Sequence, residues 1–431
     1  MKKLMPVLLC ILLMLGCAQA AVSVRMEETA ALLDRDSGEI IPPGEFGDIV
    51  PLGEGLFAAE RDGLYALMDG AGELRTGNVY SQIRIREGLI LAETGGKWGI
   101  LNADGTERSE FIYSMIVPGN SKNCWALLGD PNDMESDKLY RIDPEGRRHA
   151  TRIYVRAMNH EASGGLLGIL VPGSGKYGYC DALGRIAIEA KYEYAGRFVN
   201  GLAAVVVDGK YGAIDREGRT VIPAEYDFLE ISESGFAIAA KNLEAAYVFR
   251  PDGSEAARYE GEDIYIALVG EGYAVVDSHF LYVYDASGEM LLEAPAGSVV
   301  LEGVDGELII SEGMWGEECV YLNGSDRRYQ NLYPLGNVSG EPVYAFMTAN
   351  VGRYMNDLLG EIQLSTDMDS ARYGVVDGEG EILLDSIYLS IENIGEDRLL
   401  ARTEEEWQVI DLSGSVLWSH AAPMQTEEPS F

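Results

Sequence analysis

Short apolar runs, separated by clusters of glycine and carboxylate, follow one another along the chain with almost no helical periodicity. Residues 209–218, GKYGAIDREG, show the local pattern. In Lys210-Tyr211-Gly212-Ala213-Ile214-Asp215, strand alternation puts Tyr211, Ala213 and Asp215 on one face and Gly212 and Ile214 on the other. A small residue beside the aromatic lets a neighbouring strand approach closely. Upstream, Gly201-Leu202-Ala203-Ala204-Val205-Val206-Val207 reads as a strand and Asp208-Gly209 as its hairpin turn. Downstream, Thr220-Val221-Ile222-Pro223 reads as a third strand and Tyr226-Asp227-Phe228-Leu229-Glu230-Ile231 as a fourth. The pattern predicts an all-β protein of repeated antiparallel meanders.

Aligned on Gly218, equivalent glycines stand at 38, 72, 105, 146, 184, 253, 288, 324, 380 and 414, with successive gaps of 34, 33, 41, 38, 34, 35, 35, 36, 56 and 34. A period near 34–35 is the mark of a repeat architecture. Three residues before the glycine stands an Asp or Asn in eight of the eleven: Asp69, Asn102, Asp143, Asp181, Asp215, Asp285, Asp377 and Asp411. Asp opening and Gly closing a tight turn is the type I preference, with the carboxylate capping backbone N–H groups. One residue earlier is an apolar slot, in which Cys180 occupies the place of Ile214 and Ile410. Seven before the glycine stands Tyr65, Trp98, Tyr177, Tyr211, Tyr373 or Trp407, and these aromatics read as equivalent core fillers. A phosphate-binding glycine loop would need a helix after it, whereas a strand follows here.

A meander cannot bury its face alone, so the units must stack, radially into a propeller or linearly into an open β-solenoid. Eleven units exceed the usual 4–8 blades, so propeller-like packing in two rings is the expected arrangement. The two long gaps coincide with an acidic insert at Asp130-Pro131-Asn132-Asp133-Met134-Glu135 and a longer one from Met347 to Ala371. The expected organisation is a leader at 1–20, a repeat array at 21–324, an irregular insert and boundary at 325–371, C-terminal repeats at 372–418, and a flexible tail at 419–431.

GKWG at 96–99, GKYG at 175–178 and GKYGAIDREGRTVIPAEYD at 209–227 resemble the WG repeat of bacterial proteins, as does Asn200-Gly201-Leu202-Ala203-Ala204-Val205 upstream. The resemblance is close over 164–231 and recognisable over 88–115 and 372–388. It implies an all-β fold and an exported or surface location, and it carries no catalytic residues to transfer.

Charge narrows the partners. With 33 Lys+Arg against 70 Asp+Glu the net charge is −37, which repels nucleic acid and anionic headgroups. The 24 tyrosines and 47% hydrophobic content belong to a folded chain rather than a disordered acidic one. At the N-terminus, Met1-Lys2-Lys3, the apolar stretch from Leu4 to Leu15 and Ala18-Gln19-Ala20 have the form of a secretory leader cleaved before Ala21. Met14-Leu15-Gly16-Cys17 also resembles a lipobox, which would make Cys17 a lipid-attachment site. The expected location is extracytoplasmic, secreted or at the cell surface, with a membrane-anchored lipoprotein as the alternative. No transmembrane segment is expected in the mature chain.

Candidate chemistry is sparse. His149, His160, His279 and His420 lack metal-ligand spacing, and Cys124, Cys180 and Cys319 match neither a zinc site nor a CxxC pair. Asp130–Asp137 lacks the ordered carboxylates of a calcium loop, as does Asp367-Met368-Asp369. No catalytic residue, cofactor or metal is expected. The reading is a non-enzymatic scaffold that binds a protein or a cell-envelope polymer. The alternative is a carbohydrate-binding or carbohydrate-hydrolysing propeller-like protein, whose paired carboxylates could come from distant units.

Overall fold

A computed structural model describes residues 21–422 apart from 27–28, 35–37, 120–122, 130–136, 156, 160–161, 164, 313–318, 323, 325–326, 357–360 and 396. The described residues form eleven antiparallel sheets in strict chain order, with no helix among them. We number them blades 1 to 11: 21–46, 48–69, 82–101, 115–155, 157–192, 194–226, 228–260, 265–295, 299–322, 331–388 and 390–421. Seven blades have four strands. In blades 2, 3 and 9 the fourth strand is reduced to isolated bridges such as Tyr65 with Tyr80 and Trp98 with Tyr113.

Each blade meets the next through its own apolar cluster, and among the described residues eleven clusters serve eleven joints. The eleventh closes the ring. Val24, Met26, Ala31 and Leu33 of blade 1 pack with Leu400, Trp407 and Val409 of blade 11 and with Ala422. Trp418 Nε1 also donates to Glu39 Oε1 across this seam at 2.8 Å. Among the described residues no strand is exchanged between the first and last blades; closure rests on face packing and this side-chain bond. The arrangement is a single eleven-bladed propeller, in place of the expected two rings. The reason is that the joint between blades 9 and 10 is built like the others, from Ile309, Leu322, Tyr344 and Val376.

First strands of neighbouring blades approach one another while fourth strands such as Glu255–Glu260 and Val416–Ala421 are largely exposed, so the first strand is the inner one. Sheets stacked at about 10 Å put eleven inner strands on a circle roughly 35 Å across. The register defines two faces. Tyr194 pairs with Val206, Val206 with Tyr211 and Tyr211 with Tyr226, so strand-two-to-three hairpins and blade-to-blade crossovers share one face. The Asp-x-x-Gly turns lie on the other.

Two sequence assignments shift. Residues 220–226 are the fourth strand of blade 6, but Phe228–Ile231 is the inner strand of blade 7, because the chain crosses to the next sheet at Asp227. The segment 325–371 is not an irregular boundary. It supplies Asn331–Val338 and most of the paired strands Glu341–Asn356 and Glu361–Asp377, whose ladder continues beyond a shift between Thr348 and Asn350 to Asn356 opposite Glu361. One lengthened hairpin in blade 10 accounts for the long gap.

Candidate functional site

The recurring carboxylates are held by their own turns. Asp215 Oδ1 accepts from the amides of Glu217 and Arg219 at 3.0 and 2.8 Å, and Gly218 N donates to Asp215 O at 3.0 Å. Gly218 takes a φ of 78°, a conformation glycine adopts without strain. The same two amide bonds, to the second and fourth residues on, recur at Asp69, Asp181, Asp377 and Asp411. At Asn102 the side-chain amide donates to Thr106 Oγ1 at 3.0 Å, and the backbone turn is unchanged. Arg219 adds a bond from Nε to Asp215 Oδ2 at 2.6 Å. Partial burial works against the Asp215 charge, yet the Arg219 amide and guanidinium outweigh it and hold the carboxyl below the usual range. At Asp143 the His149 ring, 2.8 Å away, acts with Arg147 in the same direction.

The aromatics seven before each glycine sit at the crossover face. Trp98, Tyr177, Tyr211 and Tyr373 are half-buried, and only Trp407 of this set is a core residue. Several support a residue of the inner strand: Arg84 lies 4.2 Å over the Trp98 ring, Tyr194 is 6.5 Å from Tyr211, and Tyr333 is 5.9 Å from Tyr373. The buried aromatic of the unit is a different one, eight residues after the glycine: Tyr80, Tyr113, Tyr192, Tyr226 and Tyr388. Its constant offset from the glycine is the sequence signal that marks it.

The residue after that tyrosine ties blades together. Glu193, in the crossover from blade 5 to blade 6, receives Lys176 Nζ at 3.1 Å and the Gly209 amide at 2.9 Å. Asp227 repeats this one blade on, paired with Lys210 and accepting the Asn242 amide at 2.7 Å. Each carboxylate thus binds the hairpins of two successive blades, and the lysine of the Gly-Lys-aromatic-Gly block is its counter-ion. The Gly209 amide and then Lys176 hold Glu193 below its usual range, as Lys210 and then the Asn242 amide hold Asp227.

What the repeat leaves free is apolar and exposed. Tyr194, Phe228, Tyr265 and Val299 open the inner strands of blades 6 to 9, and each is at least 38% exposed. Between blades 7 and 8, at this same end, Phe228, Leu243 and Tyr265 line a pocket of about 370 Å³ with Asp227, Ala240, Asn242, Ile264 and Ile266. A larger depression of about 510 Å³ on the turn face, between blades 5 and 6, is lined by Gly165, Leu166, Asp181, Leu183, Arg185 and Glu217 among others, and its Asp181 is already bonded to Arg185. The crossover-face pocket is the better candidate, because Asp227 serves the fold and Ile264 and Ile266 belong to the core between blades 7 and 8, whereas Phe228, Leu243 and Tyr265 are exposed apolar side chains.

Among the described residues no three His, Cys, Asp or Glu are grouped to hold a metal. His149 bonds Asp143, His279 lies 2.7 Å from Ser278 Oγ and His420 stacks on Trp418. Cys17, His160 and the acidic residues 130–136 lie outside the described residues. No helix is long and apolar enough to cross a membrane among the described residues.

Comparison with known families matches the family described as WG containing repeat at residues 177–211 and 211–242, which are blade 5 from its third strand through blade 7 to its second-to-third hairpin. No curated sequence matches the chain. Similar solved structures include BamB from Moraxella catarrhalis, at 14% identity over 62% of this chain and 93% of that one with a TM-score of 0.32. AztD from Citrobacter koseri is 13% identical over 64% of this chain and 94% of that one, with a TM-score of 0.30. The WD40 beta propeller domain of Doa1 is 10% identical over 68% and 92%, with a TM-score of 0.24.

Proposed function

We propose that this WG-repeat protein is a non-catalytic binding scaffold, working outside the cytoplasm, whose crossover face engages a protein or a cell-envelope polymer. One observation carries the reading. The polar residues that recur are bonded within turns or between blades, whereas Tyr194, Phe228 and Tyr265 are exposed at the same position on three successive blades. Exposed large apolar residues set at one position on successive blades mark an interaction surface, and aromatic residues are enriched at the centre of such surfaces. The leader-like N-terminus supports export.

Co-sedimentation with a purified cell-envelope fraction tests the reading. The wild-type protein is expected to pellet with the envelope, and Tyr194→Ser/Phe228→Ser/Tyr265→Ser to stay in the supernatant with an unchanged melting temperature. Release of soluble saccharide during the incubation, abolished by a single Asp or Glu substitution, would replace the scaffold with a hydrolase. Mass spectrometry of the mature N-terminus reads the address: a start at Ala21 marks secretion and a diacylated Cys17 an anchored lipoprotein.

A further inference from the structure

Leu243 stands where comparable hairpins of the ring place glycine. At the tips Asp62-Gly63, Gly95-Gly96 and Asp208-Gly209, both residues have positive φ and the second is a glycine, at 79°, 74° and 72°. Asn242-Leu243 keeps the same conformation, at 58° and 56°. A γ-branched side chain in the left-handed region carries a steric cost that glycine avoids. Burial does not offset it, because Leu243 is 46% exposed. Its side chain lines the pocket beside Phe228 and Tyr265, over a floor of Ala240, Ile264 and Ile266. The tip is fixed in place: Ile264 N donates to Leu243 O at 2.9 Å, and Asn242 N donates to Asp227. The pocket is therefore formed before any partner arrives, and a strained apolar residue is spent on its wall.

The rim is net acidic. Glu244, Glu262 and Asp263 are exposed around the pocket, while Lys210 and Lys241 are paired with Asp227 and Glu225. Saccharide recognition would call for convergent free hydrogen-bonding groups, and Asp227 is already committed to Lys210 and the Asn242 amide. Building on the scaffold reading, we infer that the pocket between blades 7 and 8 receives one large apolar side chain of a basic polypeptide segment. The anchor desolvates Phe228, Leu243 and Tyr265, and flanking lysines or arginines face the carboxylate rim.

Fluorescence anisotropy with labelled synthetic peptides at about 0.15 M salt, where long-range attraction is screened, tests this. The probes are a lysine-glycine peptide with one central tryptophan, its alanine counterpart, and a glutamate version of the first. The tryptophan peptide is expected to bind saturably, about tenfold tighter than the alanine peptide. Leu243→Gly should erase that advantage while melting at or above the wild-type temperature, and Tyr265→Ser should erase it too. Equal binding of the tryptophan and alanine peptides, equal binding of the glutamate peptide, or full affinity in Leu243→Gly would each overturn the inference. Competition by a neutral oligosaccharide such as cellohexaose would also overturn it, in favour of a sugar site. If Leu243→Gly still pellets with the envelope after losing the peptide, the envelope contact lies elsewhere and the pocket has a separate polypeptide partner. If wild type pellets but binds no peptide, the scaffold stands and this inference falls.

Discussion

Asp215 makes its two amide bonds to residues two and four positions on, so its role follows from the order of residues alone and can be read without any fold. Removing it as Asp215→Ala should cost about 1 kcal/mol in chemical denaturation and leave partner binding intact. The sign of its pH dependence is set by its lowered pKa. Stability from the charged turn is fully present above the ordinary Asp value of about 3.9 and is lost as pH falls through the lower folded value. Wild-type melting temperature should therefore drop below about pH 4, and more steeply than that of Asp215→Asn, which caps without titrating. Cys180 fills an isoleucine slot, and burial pushes its thiol up to about 12. A thiol reagent at neutral pH should label it only on unfolding; rapid labelling of the native protein would remove it from the core. Glu193 and Asp227 were not legible in this way. Their partners are a lysine earlier in the chain and an amide of the next hairpin, a relation that exists only once blades stack.

The strands themselves were legible, because alternation and turn chemistry agree in every close copy of the repeat. Gly212 shows how narrowly one is built. The pairing of the third and fourth strands shifts between Tyr211 and Ala213, and a methyl at Gly212 would meet Ile222 O and Ala224 N at 2.7 Å. Both contacts are backbone, so Gly212→Val should destabilise by about 2–3 kcal/mol, read as a lower denaturation midpoint at unchanged slope. The start of a new sheet at Phe228–Ile231 is illegible for the same reason as the Glu193 and Asp227 bonds: nothing local distinguishes a crossover from a further turn of the meander. The exposed pocket residues were partly legible, since Tyr192-Glu193-Tyr194 and Tyr226-Asp227-Phe228 double an aromatic around the crossover acid. Only burial separates the core member of each pair from the exposed one. Joints differ too. Among the described residues, that between blades 8 and 9 has the smallest buried cluster, Ala274, Leu281, Val283 and Leu308. Amides of Leu308–Glu312 should exchange with deuterium faster than those of Leu202–Val207, whose blade is held by larger clusters on both sides.

At the scale of the molecule, the repeat was legible but its exact count and closure were not, because copies near 246–253, 281–288 and 319–324 lack the aromatic-Gly pair and a period does not set the angle between sheets. That angle emerges from eleven joints acting together, the last between Trp407 and Val409 of blade 11 and Val24 and Leu33 of blade 1. Electron-microscopic two-dimensional class averages of the purified chain test the closed ring most directly. The account predicts a single disc with a central opening and eleven lobes in face view. Open arcs of variable curvature, or paired smaller discs, would contradict it.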